Sequence, residues 1–315
     1  MDVAEANRTA NSVIDELETA VIAEREVLET VFLGFLSRGH VLLEDVPGTG
    51  KTLTARSLAS ALSLSFSRVQ FTPDLLPADV TGTYIYNENA GEFEFAPGPI
   101  FANIVLADEI NRAPPKTQSA LLEAMEEGQI TVEGETHTLP EPFFVIATQN
   151  PVEMEGTFEL PEAQVDRFLV QTTLGYPDED GEIELLRRRR ARTTSSPTVE
   201  QALDQETISA LLTVPETVAV DDDILTYQAN IARATRNHPD AHVGVSPRGT
   251  QRFFEAARTR AAMAGREFVT PDDVKRIAHP VLAHRIVLTA EARVENRSKS
   301  GVIADALASV SVPTV

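Results

Sequence analysis

At 315 residues, with 42% of them hydrophobic, the chain exceeds the usual single-domain length, so one large and one smaller domain is expected. Cysteine is absent, which excludes disulfides and thiolate metal sites, and the longest apolar runs (104–107 and 143–147) are strand-length, far short of a membrane span. The formal net charge of −21, with only four lysines (Lys51, Lys116, Lys275, Lys299), disfavours bare nucleic acid as a partner.

The start Met1-Asp2-Val3-Ala4-Glu5 lacks the basic opening and apolar core of a signal peptide, and a cytoplasmic location is expected. Acid excess with scarce lysine is familiar from proteins of salt-loving organisms, in which self-repulsion is screened; stability rising from low to molar KCl is the expectation.

In chain order, Val13, Ile14, Leu17, Val21, Leu28, Val31, Phe32 and Phe35 recur at three- and four-residue steps and predict an amphipathic helical region over 10–37. After Gly39, His40-Val41-Leu42-Leu43-Glu44 reads as a short buried strand feeding a Gly/Pro turn, and 52–64 as a helix. Residues 104–107 and 143–148 are further apolar runs, typical of parallel strands covered on both faces. Strands alternating with helices over roughly 150 residues imply a doubly wound parallel α/β domain at 1–190.

The character changes after Tyr176-Pro177-Asp178. A helix is predicted over 182–192 and a linker at Thr193-Thr194-Ser195-Ser196-Pro197. An all-α domain at 195–300 follows, broken at Pro215, Pro239, Pro247, Pro271 and Pro280. Thr270-Pro271-Asp272-Asp273 has a cap, a first-turn proline and early acids, the marks of a helix start. Residues 301–315 read as a tail.

Asp45-Val46-Pro47-Gly48-Thr49-Gly50-Lys51-Thr52 lies between a predicted strand and a predicted helix, the context of a phosphate-cradling loop. Its glycines allow successive N–H groups to converge on phosphate oxygens, and the helix N-terminus adds a favourable dipole. Lys51 supplies a point charge for the β/γ-phosphates, Thr52 a hydroxyl for Mg²⁺, and Leu53 completes the nucleotide-contacting run. The general pattern opens with Gly, whereas this chain has Asp45. Residues 104–107 then run into Asp108 and Glu109, two acids at the edge of the sheet where open α/β folds bind ligands. Asp108 suits Mg²⁺, through water, and Glu109 suits polarisation of an attacking water.

Together, Glu44–Thr52, Asp108-Glu109-Ile110-Asn111-Arg112-Ala113-Pro114-Pro115-Lys116 and Glu162-Ala163-Gln164-Val165-Asp166-Arg167-Phe168 resemble the MoxR family of AAA+ ATPases, over about residues 10–295. That resemblance implies a P-loop NTPase core with a C-terminal all-α lid, ATP and Mg²⁺ as ligands, and a family in which Asp often opens the loop. It makes Asn150 of Ala147-Thr148-Gln149-Asn150-Pro151 the sensor that orients water beside Glu109. Arg167 becomes an arginine finger reaching a neighbouring subunit's γ-phosphate, and Arg248 of Ser246-Pro247-Arg248 a second sensor contacting nucleotide from the lid. Two predicted β-hairpins, at 82–99 and 129–139, resemble the helix-2 and pre-sensor-1 inserts, which commonly face a ring's pore or partner.

The resemblance further implies a ring, expected to be a hexamer, that remodels, matures or activates a protein client, with von Willebrand A-type proteins as expected partners and metal insertion as a close relative of that task. A DNA-translocating motor and a nucleotide-gated binding module remain as rival classes; charge opposes the first, Glu109 and Asn150 the second. Arg187 to Arg190 follow acids at helical spacing and read as a solvated, salt-bridged face. His238 and His242, with Pro239 between them and no third ligand, do not read as a metal site.

Overall fold

The protein is described by a computed structural model covering residues 1–151, 156–194 and 197–313. The N-terminal amphipathic region consists of two helices: α1 (Val3–Ala20), capped by Asp2 accepting from Glu5 N–H, and α2 (Arg25–Leu36). The apolar rows expected at 10–37 are buried on both, from Val13 and Leu17 to Phe32 and Phe35.

The alternating region follows as β1 (Val41–Glu44), α3 (Lys51–Ala61), β2 (Phe66–Gln70), α4 (Pro77–Thr81), β3 (Gly82–Asn87), β4 (Glu92–Pro97), β5 (Ile104–Asp108), α5 (Pro115–Glu127), β6 (Gln129–Val132), β7 (Glu135–Thr138), β8 (Phe144–Gln149), α6 (Glu162–Val165) and β9 (Val170–Thr172). Five of these strands form one parallel sheet in the order β2-β5-β8-β1-β9.

Strand alternation sorts the core into two layers. Val41, Leu43, Ile104, Leu106, Phe144 and Ile146 pack with α1, α2 and α3; Leu42, Val105, Ala107, Val145 and Ala147 pack with the α5 side. Burial on both faces is why these strands read as unbroken apolar runs.

The two predicted hairpins are β3–β4 and β6–β7. They touch each other: the Tyr84 hydroxyl donates to Glu135 Oε2 at 2.6 Å, and the Phe95 and His137 rings stack at 3.8 Å. Ile85, Tyr86 and Phe93 remain exposed on the first hairpin.

Beyond the sheet come α7 (Glu179–Ala191), α8 (Gln205–Leu211), α9 (Asp222–Arg236), β10 (Ala241–Val243), α10 (Pro247–Met263), α11 (Pro271–Leu282), β11 (Val287–Leu288), α12 (Ala290–Val294) and α13 (Lys299–Ser309). This C-terminal lid is helical, with one short antiparallel ribbon, β10–β11, that the all-α reading did not contain. Its apolar residues belong to the same cluster as α1, α2 and one face of the sheet.

Pro247 and Pro271 open helices as their fixed φ favours, but Pro280 sits inside α11, where it gives up one i→i−4 hydrogen bond without ending the helix. The expected tail is instead largely α13, capped by Ser298 and buried through Val302, Ile303 and Ala306. Ser195 and Ser196 of the expected linker and Thr314 and Val315 of the expected tail lie outside the described residues. Among the described residues no helix is long and apolar enough to cross a membrane.

Candidate active site

The turn after β1 is shaped by two glycines in the left-handed region, Gly48 at φ +92° and Gly50 at φ +97°, with open space where a Cβ would stand on either. Gly50 is also the N-cap of α3 and has no side chain to occupy the first N–H groups, which are left for an anion. Lys51 Nζ donates to the carbonyls of Asp45 (2.7 Å) and Val46 (3.1 Å), so the ammonium is folded back into the turn. Burial pulls its pKa below the ordinary lysine value, against the opposing pull of Asp45, Asp108 and Glu109.

Asp45 is buried, and its role is internal. Its N–H donates to the Gln149 carbonyl, while Oδ2 accepts from the N–H groups of Leu174 (2.6 Å) and Gly175 (3.0 Å). The carboxylate therefore fixes the turn to the segment leaving β9. A cleft of about 720 Å³ opens beside the glycines, walled by Ile22, Leu53, Tyr176, Pro177, Leu185 and Arg189. A partly apolar cleft beside a turn whose N–H groups are left for an anion is the kind of place small ligands occupy. The basic run read as a salt-bridged face is partly that, since Glu184 pairs with Arg187 and Arg188, but Arg188 also donates to the carbonyls of Glu18 and Thr19, and Arg189 borders the cleft.

β5 delivers Asp108 and Glu109 to the same edge. Asp108 is buried; its Oδ1 accepts from the Thr148 hydroxyl at 2.6 Å, and its Oδ2 from Arg68 Nη2 at 2.6 Å and Nε at 3.1 Å. Glu109 is held in the left-handed region at φ +57°, a conformation costly for a side chain with a Cβ. Its N–H donates to the same Thr148 hydroxyl at 2.8 Å, and its Oε2 accepts from Gln70 Nε2 at 2.6 Å and Arg112 Nη1 at 3.1 Å. Asn150, buried, follows directly on β8, which lies between β1 and β5, at the same edge as the glycine turn.

A divalent metal of Mg²⁺ type fits this donor set. Thr52 and Asp108 offer hard oxygens, and three accepted bonds leave the Asp108 carboxylate with acceptor capacity. Gln70, Arg68 and Thr148 escaped the sequence reading. For the first two a signal existed: alternation on β2 puts positions 68 and 70 on one face, and the register sets Gln70 opposite Asp108.

Arg167 and Arg248 are not in this cluster. Both converge on one carboxylate, Glu126, near the C-terminal end of α5: Arg167 Nε lies 3.3 Å from Oε2 and Arg248 Nη1 2.9 Å from Oε1. The adjacent Met125 carbonyl accepts from His40 Nε2 at 2.9 Å, and His40 immediately precedes β1, whereas the glycine turn follows it. His40 and the glycine turn stand at opposite ends of β1, about 13 Å of strand apart. Arg248, expected to contact nucleotide from the lid, faces Glu126 in the separate chain rather than the glycine turn. α10 packs against α1 and α2 as part of the apolar cluster shared with the sheet.

Residues 40–170 match the model of the "ATPase family associated with various cellular activities (AAA)", and residues 233–306 that of the AAA lid domain. The chain is 46% identical to the uncharacterised YeaC protein of Bacillus subtilis over 95% of this chain and 93% of that one. It is 40% identical to the chaperone MoxR1 of Mycobacterium tuberculosis over 98% and 83% of the two chains. A crystal structure of a Cytophaga hutchinsonii protein superposes with a TM-score of 0.91 at 38% identity, covering 99% of this chain and 97% of that one.

Proposed function

This chain belongs to the MoxR family of AAA+ ATPases, and from that premise we propose that it hydrolyses ATP and couples the cycle to remodelling a partner protein. The observation that carries the proposal is the junction of the glycine turn with Asp108 and Glu109, both braced by Thr148. In this reading the N–H groups of 48–52 and Lys51 Nζ grip the β- and γ-phosphates, with the Lys51 ammonium leaving its two carbonyls to do so.

Thr52 and Asp108 would hold Mg²⁺, which when bound would supply neutralisation of charge on the phosphate oxygens. The Glu109 carboxylate takes up a proton from the attacking water, and the Asn150 amide orients that water. The base is aimed by its backbone: the Thr148 hydroxyl holds the strained residue, and Gln70 and Arg112 hold its Oε2.

Arg167 and Arg248 serve a different nucleotide. Since their own turn lies across the sheet, they are offered to the triphosphate of a neighbouring copy, where cationic donors stabilise the transition state. A closed ring, expected to be a hexamer, follows from a contact in which one edge of each copy meets the opposite edge of the next. The client is expected to be a protein, with von Willebrand A-type proteins foremost, engaged through the exposed hairpin side chains Ile85, Tyr86 and Phe93.

Mixing tests the arrangement. Lys51→Ala lacks a competent nucleotide site but retains Arg167, and Arg167→Ala has the reverse defect. Each alone should be inactive, and the mixture should recover turnover at the hybrid interfaces. Full activity of Arg167→Ala alone, or no recovery on mixing, contradicts action across chains.

A further inference from the structure

Glu126 has an unusual set of neighbours. It stands near the C-terminus of α5, where the helix dipole disfavours a negative charge, and its two oxygens face two different arginines. Those arginines are mounted on one frame. Asp166, the residue before Arg167, accepts from Arg285 Nε at 2.8 Å and from the hydroxyl of Ser246, the N-cap of α10, at 3.1 Å. Arg285, buried, also donates to the carbonyls of Phe168 and Leu169.

Arg248 and Arg252 lie close enough to Arg285 to oppose its charge, and Arg252 has its own partner, Glu255, at 2.8 Å. Four arginines thus meet three carboxylates in a chain of net charge −21. One oxyanion bridging two guanidiniums on a rigid mount is the arrangement expected of a phosphate between an arginine finger and a second sensor.

We propose that Glu126 is a latch: its carboxylate occupies the place of a triphosphate between Arg167 and Arg248 in the separate chain, and yields them to the nucleotide of a neighbouring copy on assembly. The proposal rests on the reading that both arginines act across chains. Exchange is favourable because the triphosphate carries several charges against one, while partly exposed ion pairs hold only weakly. The latch covers the arginines until a nucleotide-loaded neighbour arrives, which ties assembly to ATP.

The test follows ATP-dependent assembly by sedimentation in the Glu109→Gln background, where bound ATP persists. Adding Glu126→Gln is expected to lower the protein concentration at half-assembly about 2- to 30-fold, the range two such ion pairs span. Glu126→Ala, which removes the same charge with a different volume, must shift it in the same direction. In an Arg167→Ala, Arg248→Ala background the Gln substitution should shift nothing, because no guanidinium is left to release. An unmoved or raised midpoint in both Glu126 variants overturns the latch, as does a shift that persists without the arginines. Failed complementation between Lys51→Ala and Arg167→Ala removes the across-chain reading and the latch with it. Intact complementation with an unmoved midpoint removes the latch alone.

Discussion

Replacing Thr148 by valine isolates the group that joins the two acids. The residue is fully buried, and its hydroxyl both donates to Asp108 Oδ1 (2.6 Å) and accepts the Glu109 N–H (2.8 Å). Valine keeps the volume and removes both bonds. The Glu109 N–H is then buried without its partner, at a cost of about 1–3 kcal/mol, while Asp108 loses one charge-assisted bond and keeps Arg68. The two losses share one atom and do not add fully, so a destabilisation of about 2–4 kcal/mol is expected.

Serine keeps the hydroxyl and gives up one methyl, for about 1 kcal/mol. The larger effect falls on turnover. Glu109 sits at φ +57°, and without its anchor the residue relaxes and its carboxylate moves; a displacement near 1 Å lowers kcat about 100-fold. ATP affinity should change far less, because Lys51 and the glycine turn are untouched. Steady-state ATPase kinetics with nucleotide titration and urea unfolding, run on the Val and Ser variants, separate the two effects. A valine variant with wild-type kcat, or a serine variant as slow as valine, refutes the reasoning.

Asp45→Ala leaves the N–H groups of Leu174 and Gly175 without their acceptor and frees the turn from the wall of the cleft. Unfolding should show a loss of about 2–4 kcal/mol, and ATP affinity should fall with it. His40 is buried neutral, its Nε2–H donating to the Met125 carbonyl and its Nδ1 accepting from Val145 N–H; burial pushes its pKa from 6.5 down to about 4. A folded-state pKa below the unfolded one means that this stability is complete above pH 6.5 and is lost as pH falls toward 4, about 3 kcal/mol in all. Denaturation at pH 7 and 4.5 should therefore show the wild type losing about 2 kcal/mol more than His40→Gln over that interval.

What the sequence made legible was local. The glycine turn stands between a strand and a helix only a few residues away on either side, and Asp108 and Glu109 end an apolar run that only a buried strand explains. What it concealed depends on distant pairs. Thr148 looks like any hydroxyl after an apolar run, and its role follows from β8 lying beside β5, 40 residues earlier. Asp45 departs from the usual glycine, and its reason stands 129 and 130 residues away in two N–H groups.

Arg248 was expected at nucleotide only through the family resemblance of Ser246-Pro247-Arg248, and in the separate chain it meets Glu126. The apolar faces of α1 and α2, visible in the sequence, gave no hint that the lid helix α10 packs on them. α13 was missed because its small residues, such as Gly301, Ala304 and Ala306, carry a weak periodic signal, although Val302 and Ile303 are fully packed.

The most direct test is calorimetric titration of folded Glu109→Gln protein with ATP in the presence of magnesium. Saturable binding at one site per chain, abolished by Lys51→Ala, is the expected result. A protein that unfolds cooperatively yet takes up no ATP with magnesium would contradict the assignment of the turn after β1 and the acids after β5 to a triphosphate.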